Sequence, residues 1–223
     1  MSGIQRAWRF DRVTGPAVEP LTVAQVQAHC RIDDGDPQLA LIPLIISATR
    51  AYAEKITNRS FLLQSWLATG DQFPGYNIAP LVGSYTQIPL QPRPPEIVLA
   101  HGPVVAVTSV KYLDTTGVQQ TLDPSTYVLD ASGLSPRIAP AYGKQWPSTL
   151  MQIGGVQVAY NAGLGTGALA DSALVAENVR QWMLIRIATA YEHREEVEQV
   201  ARGRLEPLAY VDSLLDLERE WAI

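Results

Sequence analysis

Apolar positions along this chain recur with two different periods, and the change from one to the other separates helical stretches from a sheet-forming middle. Thr22 opens PLTVAQVQAHCRI with Gln25 completing a capping-box pattern, which predicts a short helix from about Val23 to Cys30 with Val23, Val26 and Cys30 as its stripe. Asp36 and Pro37 then start a second helix over residues 36–57, the element around which the rest is organised. Leu41, Ile45, Ala48, Tyr52 and Ile56 recur there at helical spacing and mark the face expected to be buried, while Gln38, Arg50, Glu54 and Lys55 fall mainly elsewhere. Pro43 is discordant inside that run and predicts either a kink or a true start close to it.

After Arg59 the period shortens. Strands are expected at Phe61–Thr69, Val104–Leu113, Val118–Leu122, Tyr127–Asp130, Arg137–Pro140 and Val156–Tyr160, joined by turns at Asp114–Gly117, Asp123-Pro124 and AYGKQWP, the last bringing Tyr142 and Trp146 close together. Val104–Leu113 is the strongest of them. It carries Val105, Val107 and Leu113 on one face and Val104, Ala106, Val110 and Tyr112 on the other, so both faces are expected to be covered, by this chain or by a neighbour. From Asp171 the helical period returns, with Val175, Val179, Trp182, Met183, Ile187, Ala190 and Tyr191 predicting an amphipathic helix of about seven turns. Gly203 and Pro207 end it. A last short helix follows, with Leu208, Val211 and Leu215 on one stripe and Leu214, Leu217 and Trp221 beside it; such a terminal helix either folds back on its own core or docks on a partner.

The architecture expected is therefore α+β: a helical bundle, made of an N-terminal helix pair and a long C-terminal helix, with a central antiparallel β insertion. Its parts are an N-terminal arm (1–20), the bundle (21–59 and 168–202), the β-rich insertion (60–167) and a C-terminal segment (203–223). Composition supports a folded protein, since 47% hydrophobic and 17% charged residues suffice for one core and a smaller satellite. A net charge of -5 gives no general attraction to nucleic acid or to an anionic membrane. Arg6, Arg9 and Arg12 interleave with Trp8 and Phe10 in the arm, a pattern that touches phosphate in some proteins and more commonly solvates an edge strand. No apolar run is long enough to cross a membrane and no cleavable leader pattern is visible, so a soluble, non-exported protein is expected.

Residues with the spacing of a reactive site are few. Cys30 has no partner for a disulfide and reads as a buried small hydrophobe. Asp33, Asp34 and Asp36 invite a calcium reading, but the run lacks the closing glutamate of a calcium loop and Pro37 turns it into a helix, so turn and cap chemistry is preferred. The GLGTG stretch lacks the lysine of a phosphate-binding loop and reads as the loop before a helix. His29, His101 and His193 lie far apart without metal-ligand spacing, and no nucleophile elbow occurs. The proline-rich QPRPPE run at 91–96 reads as a rigid connector. No enzyme, metal or cofactor is expected.

The order of these motifs resembles the head-tail connector (head-completion adaptor) family of long-tailed bacteriophages and phage-derived gene transfer agents. The resemblance rests on the helix pair ending in RSF, on VTSVKYLDTTGVQQTLDPSTYVLD, on RIAPAYGKQWP, on VQVAYNAGLG and on a late helix ending AYEHRE, and it covers roughly residues 20 to 195. It implies a ring, usually of about twelve copies, seated under the portal protein and extending the DNA channel toward the tail. The implied partners are the portal protein, copies of the chain itself, a head-completion or tail-terminator protein, and double-stranded DNA passing without sequence recognition. The implied place is the virion neck, assembled in the host bacterial cytoplasm. Leu205, Leu208, Val211, Leu214, Leu215, Leu217 and Trp221 are then the portal-docking candidates, because relatives grip the portal with C-terminal segments; Val105, Val107, Tyr142 and Trp146 are candidates for contact with neighbouring subunits. The alternative from the residues alone is a β-rich ligand- or receptor-binding module on a helical scaffold, with Tyr142, Trp146 and Tyr160 lining a pocket.

Overall fold

The computed structural model of the chain describes residues 8–74, 95–132, 135–192 and 209–219. Helix and antiparallel sheet are both present, sorted into two compact units: Pro16–Leu63 with Gly163–Ile223, and Met1–Gly15 with Gln64–Ala162.

The first unit is helical. Helix α1 (Val23–Cys30) begins at the expected capping box, with the Gln25 amide donating to Thr22 Oγ1 and the Thr22 amide to Gln25 Oε1. Asp36 caps a 3-10 turn at Pro37–Leu41 that leads into helix α2 (Ile42–Thr57). Pro43 thereby falls in the first turn of α2, where its missing N–H has no intrahelical acceptor to lose. A second 3-10 segment at Leu169–Leu174 precedes helix α3 (Glu177–Glu192), and a short helix α4 (Ala209–Ser213) follows the undescribed residues. The turns expected between Asp171 and Glu177 are not α-helix, because Asp171 turns its carboxylate back onto the GLGTG loop and Val175 is extended; residues beyond 192 that complete the expected seven turns lie outside the described residues. Tyr52 stacks on Trp182 at 6.1 Å while Tyr191, at the far end of α3, lies beside Asp36, so α2 and α3 run antiparallel.

The buried face of α2 differs from the one expected. Ile42, Ile46, Arg50, Ala53, Glu54 and Thr57 are buried, whereas Leu41, Leu44, Ala48 and Tyr52 are exposed. The reason is an ion network. Arg50 donates to Glu19 Oε2 and to Glu54 Oε2, each at 2.7 Å, and the second Glu54 oxygen accepts from the Phe61 amide, so two charges lie inside with their hydrogen bonds satisfied. Ile42 and Ile46 join Val26, Phe61, Leu62, Val179, Trp182, Met183, Ile187, Val211 and Leu215 in one core. Phe61 and Leu62, expected to open a strand, thus belong to the helical core.

The second unit is built on a five-stranded antiparallel sheet of order β1-β2-β8-β4-β5, comprising β1 (Arg9–Thr14), β2 (Gln64–Gly70), β8 (Val156–Ala162), β4 (Val104–Leu113) and β5 (Gln119–Thr121). The arginine-bearing arm is therefore an edge strand from Arg9 onward, with Arg9 ion-paired to Asp11. A second sheet orders β3 (Ile97–Val98), β7 (Arg137–Pro140) and β6 (Tyr127–Asp130). Val110, Val156, Val158, Tyr160, Leu99, Ile138, Phe73 and Trp146 fill the core. In β4 the alternation is interrupted by two register shifts against β8, between Val104 and Ala106 and between Val107 and Ser109. Val104 and Val110 are buried and Val105 is 56% exposed, and the two shifts bring Val107 round to the side of Val104 and Val110, half-buried against the core.

Candidate functional site

Among the described residues no three histidine, cysteine or carboxylate side chains gather as a metal site. The acidic turn is used structurally: Asp34 accepts from Gln27 Nε2 at 2.6 Å, and Asp36 caps the Gln38 amide. The GLGTG loop does cradle an anion, and that anion is the chain's own. Asp171 Oδ2 accepts from the backbone amides of Thr166, Gly167 and Ala168 at 2.5, 2.7 and 2.9 Å, and the Thr166 bond leads in holding its carboxyl below the usual range. A side chain at Gly165 (φ 83°) would overlap that carboxylate, which leaves glycine as the residue that fits.

Asp114 is similar at the hairpin between β4 and β5. Hydrogen bonds from Thr116 Oγ1, Gln120 Nε2 and the Val118 amide hold its pKa down at about 2. It is half-buried and committed to its own turn. His101 lies face to face with Trp66 at 4.0 Å and edge-on to Phe10, and burial followed by the charge of Arg12 pushes its pKa below the ordinary value. These polar groups organise turns and strands; no pair of them is arranged as acid and base around a cleft.

The aromatic pocket of the alternative reading does not form. Trp146 is buried, stacked on Phe73 at 4.7 Å with its indole N–H donating to the Pro95 carbonyl. Tyr160 is also buried, its hydroxyl donating to the Ala100 carbonyl, whereas Tyr142 stands fully exposed. One turn has sent its two aromatics to opposite fates. Of the neighbour-contact candidates, Val105 and Tyr142 are accessible, Val107 partly so, and Trp146 is not.

The C-terminal candidates divide in the same way. Val211 and Leu215 are core residues of the helical unit, and Leu214 packs against that core. Asp212 accepts from Arg186 and from Trp182 Nε1, Asn178 donates to the Leu214 carbonyl, and Arg59 pairs with Glu218, so α4 is tied to its own subunit. Leu217 is 86% exposed. Leu205, Leu208 and Trp221 lie outside the described residues.

What remains as functional surface is apolar. Among the described residues, Leu41, Leu44 and Tyr52 at and along α2 and Leu164, Leu169 and Leu174 before α3 are exposed, and a shallow groove of about 60 Å³ lies between Gln38, Leu41, Ile45, Ala190 and Tyr191. Sequence reasoning assigned Leu41 and Tyr52 to the core and did not single out Leu44 or the leucines before α3; the discriminating signal was Arg50 and Glu54, whose spacing from Ile42 and Ile46 marks the inward face once they are read as a pair.

No family model matches the chain, and no curated protein does. Solved structures do. A chain in the neck of an empty gene transfer agent particle, computed with C6 symmetry, matches with TM-score 0.68 and 20% identity over 96% of this chain and 97% of that one. A chain of the native gene transfer agent virion matches with TM-score 0.66 and 19% identity over 96% of both chains. A chain in the native particle's neck, computed with C12 symmetry, matches with TM-score 0.58 and 17% identity over 96% of this chain and 97% of that one. Over almost its whole length, then, this chain has the fold of proteins built into gene transfer agent particles, the neck among them.

Proposed function

We propose that the protein is a structural subunit of a phage or gene transfer agent neck: a head-tail connector that forms a ring beneath the portal, extends the DNA channel and presents a platform for the tail. The observation that carries this reading is the end-to-end match with neck chains whose particles were computed with six- and twelve-fold symmetry. The carboxylates described above support a structural role, since Asp34, Asp36, Asp114 and Asp171 are spent on turns and caps and Glu54 on a buried pair. A net charge of -5 suits a channel wall, because a basic lumen would bind DNA through counterion release and hinder its passage.

In this reading the partners are the portal protein, further copies of the chain, a head-completion or tail-terminator protein on the tail side, and double-stranded DNA in transit. The protein assembles in the host bacterial cytoplasm and ends in the virion neck. The C-terminal segment docks on the portal through the surface its own core does not consume, Leu217 among the described residues together with Leu205, Leu208 and Trp221. Cryo-EM of the particle neck tests the assignment: density for this chain in a ring directly under the portal is expected, and its location in the capsid shell or tail would overturn it.

A further inference from the structure

A ring of more than two copies joins each subunit to the next through two different patches on one chain, a head-to-tail contact that closes by rotation. Resting on the ring reading above, we infer that these two patches are the outward face at the start of α2 and the loop before α3. Leu169 of one copy enters the groove between Leu41, Ile45 and Tyr191 of the next.

Four observations carry this. The first concerns the start of α2, which is apolar on opposite sides: Ile42 and Ile46 face the core, while Leu44 (69% exposed) and Leu41 at the N-cap are turned to the surface. Exposed leucines there are apolar surface left over once the core on the other side is built. The second is the groove itself, about 60 Å³ and lined almost wholly by apolar surface, a size suited to the end of one aliphatic side chain. The third is the complement. From Gly163 to Val175 the chain exposes Leu164, Leu169 (85%) and Leu174 among alanines, and its one charged residue, Asp171, is folded inward onto the loop's own amides. A surface loop with no exposed charge and three exposed leucines is shaped for a dry contact. The fourth is placement. Because α2 and α3 are antiparallel, the groove at the start of α2 and the loop at the start of α3 lie at opposite ends of the pair, separated by a 16-residue helix of about 24 Å. Two patches so placed chain copies together and cannot satisfy each other within one subunit. Their lack of charge also argues against DNA as the occupant.

The test uses the full chain with Cys30→Ala, which removes the one native cysteine. Leu44→Cys and Leu169→Cys are prepared separately, one with a size tag, mixed in equal amounts, and oxidised with copper-phenanthroline. The expected product is the mixed disulfide dimer, in about tenfold excess over either homodimer. A predominant Leu44→Cys homodimer would mean two-fold pairing of α2, and a statistical mixture would mean random collision. Oxidation traps weak and transient association as well as stable rings, so absence of any disulfide would mean that the two faces do not meet. Each of these three results overturns the proposal. Both sites are exposed, so folding is expected to survive; Leu41→Cys with Leu174→Cys provides an independent pair, and unchanged thermal unfolding by circular dichroism checks all four. A chain carrying both Leu44→Cys and Leu169→Cys separates this inference from the ring itself. Oxidation to a ladder that closes at a discrete multimer fits both, whereas mixed dimers that extend without closing leave the face assignment standing and defeat the ring.

Discussion

Arg50 is the residue on which the helical unit most depends electrostatically, because its guanidinium is almost fully buried between Glu19 and Glu54. Arg50→Ala strands the Glu54 carboxylate inside the core, and a loss of about 3–5 kcal/mol in denaturant unfolding is expected. Arg50→Met with Glu54→Gln removes both charges while keeping an acceptor for the Phe61 amide, and should recover much of that loss. If the single and double variants unfold alike, the pair is not the source of the stability. His101 supplies the pH-dependent counterpart in the sheet unit. Its folded pKa lies below the ordinary value of about 6.5, held down by burial and then by Arg12. As pH falls through that value the unfolded chain takes up a proton that the folded chain resists, so stability is full above about pH 6.5 and declines below it until the folded pKa is reached. Thermal unfolding of the wild type should therefore fall in temperature between about pH 7 and 5 more steeply than that of His101→Phe, which has no proton to gain. Parallel pH profiles would exclude His101 as the cause.

At the scale of elements, what was legible in the sequence was periodicity, and what escaped it was anything that breaks periodicity. The capping box at Thr22 and Gln25, the strand at Arg137–Pro140 and the core of Val104–Leu113 follow from residue type and spacing alone. The inward face of α2 did not, because a rule that sends charges outward misreads Arg50 and Glu54 when they satisfy each other. The faces of β4 did not either, because a bulge inserts one residue without any compositional mark and reverses the alternation after it. The exposure of the outer face is testable. Val105, expected from the sequence to be covered, is exposed in this chain, so Val105→Asp should change monomer stability by less than about 0.5 kcal/mol. Val110→Asp buries a charge without a partner and should unfold the sheet unit. Equal effects at the two positions, by circular dichroism and urea titration, would mean that Val105 is as covered within the chain as Val110. If Val105 contacts a neighbouring subunit, its aspartate variant will be a folded chain that assembles poorly.

At the scale of the whole molecule the question is how one chain divides its apolar residues between its own core and its partners. The isolated chain is expected to sediment at micromolar concentration as a monomer or a weakly associating species, since premature rings would compete with correct placement on the portal; a stable ring without portal would overturn that order of assembly. The C-terminal segment poses the division most sharply. Val211 and Leu215 are core, and Asp212 binds Arg186 and Trp182, so removing residues 205–223 takes away packing as well as any docking surface. Truncation is thus expected to lower the unfolding temperature, and lost portal binding in such a variant would be ambiguous. Point changes separate the two roles. Leu215→Asp places a charge in the helical core and should destabilise by several kcal/mol, within the range typical of unpaired buried charges, about 3–5 kcal/mol. Leu217→Asp sits on the surface and should leave unfolding unchanged while weakening capture by portal protein in a pull-down, because an apolar anchor becomes a hydrated charge. Trp221→Ala tests the second anchor in the same assay. Portal binding that survives both Leu217→Asp and Trp221→Ala would mean that this segment serves the subunit's own core alone, and that the portal is gripped elsewhere on the chain.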